Sequence, residues 1–109
     1  MEEMMSLTPK EVYIIEAIVS NEYSGYNYHL PSPDTTYDEI WTAGGHSCWT
    51  NTIEDNGAKH GIPVSGKEIS GVLSSLNKKG FVISSTGREG TAYVTKAGWE
   101  AYAEYMRNI

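Results

Sequence analysis

Residues 65–98 read SGKEISGVLSSLNKKGFVISSTGREGTAYVTKAG, and their order decides the fold. Ser65 and Glu68 have the spacing of a capping box, which starts a helix at Gly66. Ile69, Val72, Leu73 and Leu76 then recur at i, i+3, i+4 and i+7, the period of one buried helical face. Lys78 and Lys79 complement the negative end of that helix, and Gly80 stops it, so the helix spans Gly66 to Lys79. Phe81 to Ser85 reads as a strand, Thr86 to Gly90 as a glycine-bounded turn, and Thr91 to Val94 as a returning strand, which together make a β-hairpin. Thr95 caps a last helix, whose apolar stripe is Trp99, Tyr102, Ala103 and Met106.

Upstream, Thr8-Pro9-Lys10-Glu11 is a second capping box with proline at the first helical position. Val12, Ile15 and Val19, widened by Ile14 and Ile18, give the helix from Pro9 to Glu22 a broad apolar face. Residues 23–48 hold Tyr23, Tyr26, Tyr28, Tyr37 and Trp41 among Gly25, Pro31, Pro33, Gly44 and Gly45, without a lasting period. A connection of that length in a small domain is functional or conceals a short helix, here Thr36 to Trp41. The rings are expected in the core, because a small domain needs the area they bury. Trp49 to His60 is read as a further helix, with Trp49, Ile53 and Ala58 inward and Gly61 beyond its end. Ile62-Pro63-Val64 is an extended link.

At 109 residues the chain suits one core, so residues 1–109 are expected to form a single domain. No apolar run reaches the ~18 residues of a membrane span, and the start is acidic where a secretory signal is basic, so a cytoplasmic protein without membrane contact is expected. Cys48 alone excludes an internal disulfide. The net charge is −6, a poor balance for a polyanion binder. Its distribution matters more. Residues 1–58 set Lys10 against ten carboxylates, whereas residues 59–96 set Lys59, Lys67, Lys78, Lys79, Arg88 and Lys96 against Glu68 and Glu89. One basic surface on an acidic, soluble body fits that segregation.

The order helix, helix, link, helix, hairpin, helix is that of a winged helix, and the stretch Ser65 to Gly98 resembles the recognition helix, wing and following helix start of MarR- and PadR-type winged-helix regulators. The likeness lies in the leucine-spaced helix ending in Lys-Gly before an apolar strand, and in the second strand ending Thr95-Lys96-Ala97-Gly98. It implies an α+β, mainly helical, winged helix-turn-helix: a three-helix core, a two-stranded hairpin wing and a C-terminal helix, with an aromatic-rich insertion (23–48) after the first helix. It also implies a transcriptional regulator of double-stranded DNA.

The residue pattern leads the same way. With Ile69, Val72, Leu73 and Leu76 inward, Lys67, Ser70, Gly71, Ser74 and Lys78 face outward on a helix that fits a major groove. Ser65 stands at its start. Small outward residues permit close approach, hydroxyls reach phosphates or base edges, and the two lysines clamp phosphates. Arg88 at the hairpin tip suits a narrow minor groove or the flanking backbone. The alternative is an acidic winged-helix interaction module or inhibitor, whose acidic and aromatic 23–48 region meets a basic, nucleic-acid-handling protein. A homodimer is expected because the first helix is apolar on several faces and the last carries Trp99, Tyr102, Tyr105 and Met106.

No catalytic constellation, cofactor motif or metal-ligand spacing is present. His46-Ser47-Cys48, with His29 and His60, lacks any paired ligand spacing, and reads as a buried thiol and loop histidines. Cys48 with His60 lacks an orienting partner and an oxyanion element. Asp34, Asp38 and Glu39 read as caps or solvated carboxylates.

Overall fold

Helix α1 (Pro9–Val19) forms the centre of a small α+β protein, which among the described residues has four α-helices and a three-stranded antiparallel sheet. The computed structural model describes residues 6–55, 60–84 and 90–108. The Thr8–Glu11 capping box forms as the sequence predicts, but α1 ends at Val19, three residues before the expected Glu22, with Ser20 as its C-cap. Ser20 and Asn21 turn their side chains back onto the carbonyls of Glu16 and Ile18, which draws the chain out of the helix.

The remaining elements follow in order. Helix α2 (Tyr37–Thr42) is followed by strand β1 (Ser47–Trp49) and a 3-10 helix (Thr50–Asp55). Then come α3 (Gly66–Lys79), β2 (Val82–Ser84), β3 (Thr91–Val94) and α4 (Lys96–Arg107). The sheet order is β1-β3-β2, with Cys48 opposite Ala92 and Ile83 opposite Tyr93. One sheet face, with Cys48, Ala92, Val82 and Val94, is buried against the core. The other carries exposed Trp49 and Ile83.

The structure departs from the sequence expectation after Trp49 and in the hairpin. The helix read over Trp49 to His60 is instead the end of β1 and the 3-10 turn, with residues 56–59, Ala58 among them, outside the described set. Trp49 points to solvent rather than inward. The hairpin expected to stand as two strands is joined by β1 as a third, and the observed β2 is shorter than Phe81–Ser85. Residues 85–89 of its turn, Arg88 among them, lie outside the described residues. The short helix expected at Thr36 to Trp41 is present as α2, capped by Thr36 and Glu39, and the 23–48 connection also holds the first two residues of β1.

Val12, Ile14, Ile15, Ala17, Ile18 and Val19 are all fully buried, because α3, the sheet, the 3-10 helix and α4 surround α1 on every side. Each large aliphatic side chain so placed contributes about 1.5–3 kcal/mol relative to exposure. The breadth of apolar surface that suggested a partner copy is thus covered within one chain, and Trp99 and Tyr102 are buried with it. Among the described residues, no helix is long and apolar enough to cross a membrane.

Candidate nucleic-acid interface

Two buried carboxylates on α1 hold α3 in place. Glu11, nearly fully buried, accepts from Lys79 Nζ at 2.8 Å, from the Ser75 hydroxyl, and from the Thr8 amide at 2.8 Å. Burial works to raise its pKa, but Lys79, Ser75 and Thr8 outweigh it and hold the carboxyl below its ordinary range. Lys79 also donates to the Ser6 carbonyl at 2.8 Å, so its ammonium closes the C-terminal end of α3 onto α1.

Glu16 does the same for the link that leads into α3. Its Oε1 accepts the amides of His60 (2.8 Å) and Gly61 (3.1 Å), and its Oε2 accepts the Tyr102 hydroxyl (2.8 Å) and lies 2.7 Å from His60 Nδ1. Burial, then the Glu16 charge, pushes the Tyr102 hydroxyl pKa upward, so it stays a donor. Gly61 passes so close to α1 that a Cβ there would lie 2.3 Å from the Tyr13 amide nitrogen. No side chain fits that crossing. The sequence reading missed both carboxylates as anchors. Their signal is present, since Glu16 stands between Val12 and Val19 and Glu11 before Ile14 and Ile15, positions that share the apolar face.

Held in this way, α3 buries Leu73 and Leu76, half-buries Ile69 and Val72, and exposes Lys67, Ser70, Gly71, Ser74 and Lys78. At ~100° per residue these five fall on one stripe opposite the buried row, and Lys67 and Lys78 stand about 16 Å apart along the axis. The stripe contains no carboxylate. Among the described residues no acidic side chain pairs with either lysine. Glu68 lies on the flank turned to α1, and the Lys10 ammonium, then the Ser65 amide, hold it ionised below the usual carboxylate range. Ser65 is exposed, with its hydroxyl donated to Glu68 at 3.2 Å. At Gly71 a Cβ would meet nothing within 4 Å, so the helix is open there. Asn77 joins α3 to the hairpin through its side-chain amide, which donates to Ser84 Oγ at 2.8 Å.

The other sequence candidates do not converge. Cys48 is buried and burial pushes its thiol up to about 12, which leaves it protonated and unreactive. His60 is engaged by Glu16, whereas His46 stacks on Trp41. Among the described residues no group of three or more His, Cys, Asp or Glu is placed to hold a metal ion. The insertion rings divide: Tyr26 and Tyr37 pack against the core, while Tyr23, Tyr28 and Trp41 are exposed, which corrects their assignment to the core. No protein-family model, curated protein or solved structure matches the chain.

Proposed function

We propose that this chain is a small, non-enzymatic winged-helix protein of the cytoplasm that binds double-stranded DNA as a transcriptional regulator. In this reading α3 is the recognition helix and the β2–β3 hairpin is the wing. The observation that carries it is the outward stripe of α3: small and hydroxylic residues between two unpaired lysines, with carboxylates absent and the opposite face buried. A major groove ~12 Å wide accepts one helix, and Gly71, Ser70 and Ser74 let its backbone come near the base edges. Lys67 and Lys78 then meet phosphates at the two ends. Arg88, which lies outside the described residues, is assigned to the flanking backbone or minor groove.

Few cations means few displaced counterions, so retention of DNA by a single copy is a low-salt property, and two half-sites bound by a dimer would strengthen it. The test is fluorescence anisotropy of a labelled duplex at about 20 mM salt, where counterion release favours binding. Wild type is retained, and Ser74→Glu, which aims a carboxylate at phosphate from an exposed position, binds at least about tenfold more weakly with an unchanged melting temperature. Absence of retention, or a Ser74→Glu variant equal to wild type, removes the reading in favour of a protein-docking module.

A further inference from the structure

The insertion builds a second surface, of opposite character, whose argument is independent of the DNA reading. Helix α2 is pinned to the core by Ile40, which is fully buried, and by Tyr37, whose hydroxyl donates to the Val94 carbonyl at 2.6 Å. Asp38 and Trp41, neighbours at i and i+3, are both exposed on the flank of α2 beside Tyr37. Trp41 is 54% exposed. One face of its indole is backed by the His46 ring, at a centroid distance of 3.9 Å and an interplanar angle of 22°. The Tyr37 ring approaches the same indole at a centroid distance of 6.3 Å and a tilt of 54°, and about half of the side chain remains open to solvent. Desolvation lowers the His46 pKa, so the backing ring carries no charge at neutral pH.

The cleft between α2 and α4 that Asp38 lines is mixed in charge and acidic on balance. Asp38 has no basic partner within ion-pair distance among the described residues. Glu39 is spent on the α2 cap. Lys10 is bound to Glu68, and the two cations that α4 brings to the cleft, Lys96 and Arg107, share it with three carboxylates, Asp34, Asp38 and Glu100, of which Asp34 pairs with Arg107. A nucleobase could stack on the indole, but its phosphates would meet these carboxylates. A guanidinium satisfies both features at once, since its plane lies on an indole face while its N–H groups bond a carboxylate. We propose that Trp41 and Asp38 form a docking site for an arginine side chain within a basic segment of a partner protein.

The full-length, 15N-labelled chain is titrated with a peptide of alternating arginine and glycine, and the indole N–H signals are followed by NMR, with that of Trp41 assigned by its loss in Trp41→Phe. The Trp41 signal shifts while that of buried Trp99 does not, and the lysine–glycine analogue binds more weakly. Asp38→Asn, a change at an exposed position, and Trp41→Ala each weaken binding by about three- to fivefold, the size of an exposed cation–π or ion-pair contact. Ser74→Glu leaves the peptide affinity unchanged and Asp38→Asn leaves the DNA affinity unchanged, so the two surfaces fail separately. No shift at Trp41, unaltered affinity in Asp38→Asn, or a larger Trp41 shift with oligothymidylate than with the arginine peptide overturns the proposal.

Discussion

The outward face of α3 and the outward face of the insertion are built on contrary principles. The α3 stripe is small-residued, hydroxylic and basic, and its position depends on Glu11 and Glu16, two carboxylates buried far from the stripe itself. The insertion face is aromatic and acidic on balance, and it is fastened by two local devices, the α2 cap and the ring stack on His46, and by one long-range bond, from the Tyr37 hydroxyl to the Val94 carbonyl. The contrast teaches that a net charge of −6 describes neither surface. Carboxylates that sum into that figure are partly structural, with Glu11, Glu16 and Glu68 neutralised or hydrogen-bonded where they hold α3, and partly displayed, as at Asp38 and Glu22.

The largest effect separating the two faces is expected at Glu16. Glu16→Ala strands the buried Tyr102 hydroxyl and leaves the part-buried His60 and Gly61 amides to solvent, at a cost of about 2–3 kcal/mol. Urea unfolding measures it, with exposed Glu22→Ala as a control expected within about 0.5 kcal/mol of wild type. A Glu16→Ala loss below about 1 kcal/mol would show that α3 does not depend on this anchor.

Next in size is the acid response of the other anchor. Because the folded state holds the Glu11 carboxyl below its ordinary 4.5, it binds a proton less readily than the unfolded chain does. Its contribution is therefore complete above that value and disappears as pH falls through the lower folded value. Thermal melts of wild type and Glu11→Gln should differ most near neutrality and converge toward pH 3, roughly below the unfolded carboxylate pKa. A constant gap across that range would separate Lys79 pairing from the stability of α3.

The sequence made α3 legible because each of its signals is local: the Ser65–Glu68 spacing, the apolar row and Gly80, whose φ of 77° is left-handed, agree with one another. Strand β1 was not legible. Three residues with a single buried side chain, Cys48, carry no alternation, and they become a strand only by pairing with β3 over forty residues later. Trp49 and Ile53 mimicked a helical pair at i and i+4, but Trp49 ends β1 on the sheet's outer face, next to inward Cys48, while Ile53 is buried from the 3-10 helix that follows. The candidate DNA residues on α3 were readable as a face, since burial of one helical row exposes the opposite one. The anchors behind that face were not, because a glutamate within an apolar run reveals its partner only once His60, Gly61 and Tyr102 are brought to it from elsewhere in the chain.

A smaller effect addresses the α3 lysines themselves. Removing one phosphate contact by Lys67→Ala should reduce the slope of log affinity against log salt by about one unit, and Lys78→Ala likewise. Both side chains are exposed, so melting temperatures should remain within about a degree or two of wild type. The same substitutions should leave the response of Trp41 to the arginine peptide untouched. A lysine variant that keeps the full salt slope would take that end of the helix off the phosphate backbone.

The finest test concerns Gly71, where stability and binding should move in opposite directions. Glycine inside a helix is destabilising by about 0.5–1 kcal/mol relative to alanine, and nothing lies within 4 Å of the Cβ that alanine would add. On stability alone alanine is therefore the better residue, and Gly71→Ala should raise the melting temperature by about 2–6 °C for a domain of this size. If α3 enters a groove with Gly71 against the bases, the added methyl occupies the space through which the backbone approaches, and duplex affinity should fall by about two- to tenfold despite the gain in stability. A binding site at the insertion would register no change. Gly71→Ala with higher stability and undiminished DNA affinity would mean that the middle of the helix does not come close to the duplex, and would confine the contact to the lysines at its ends.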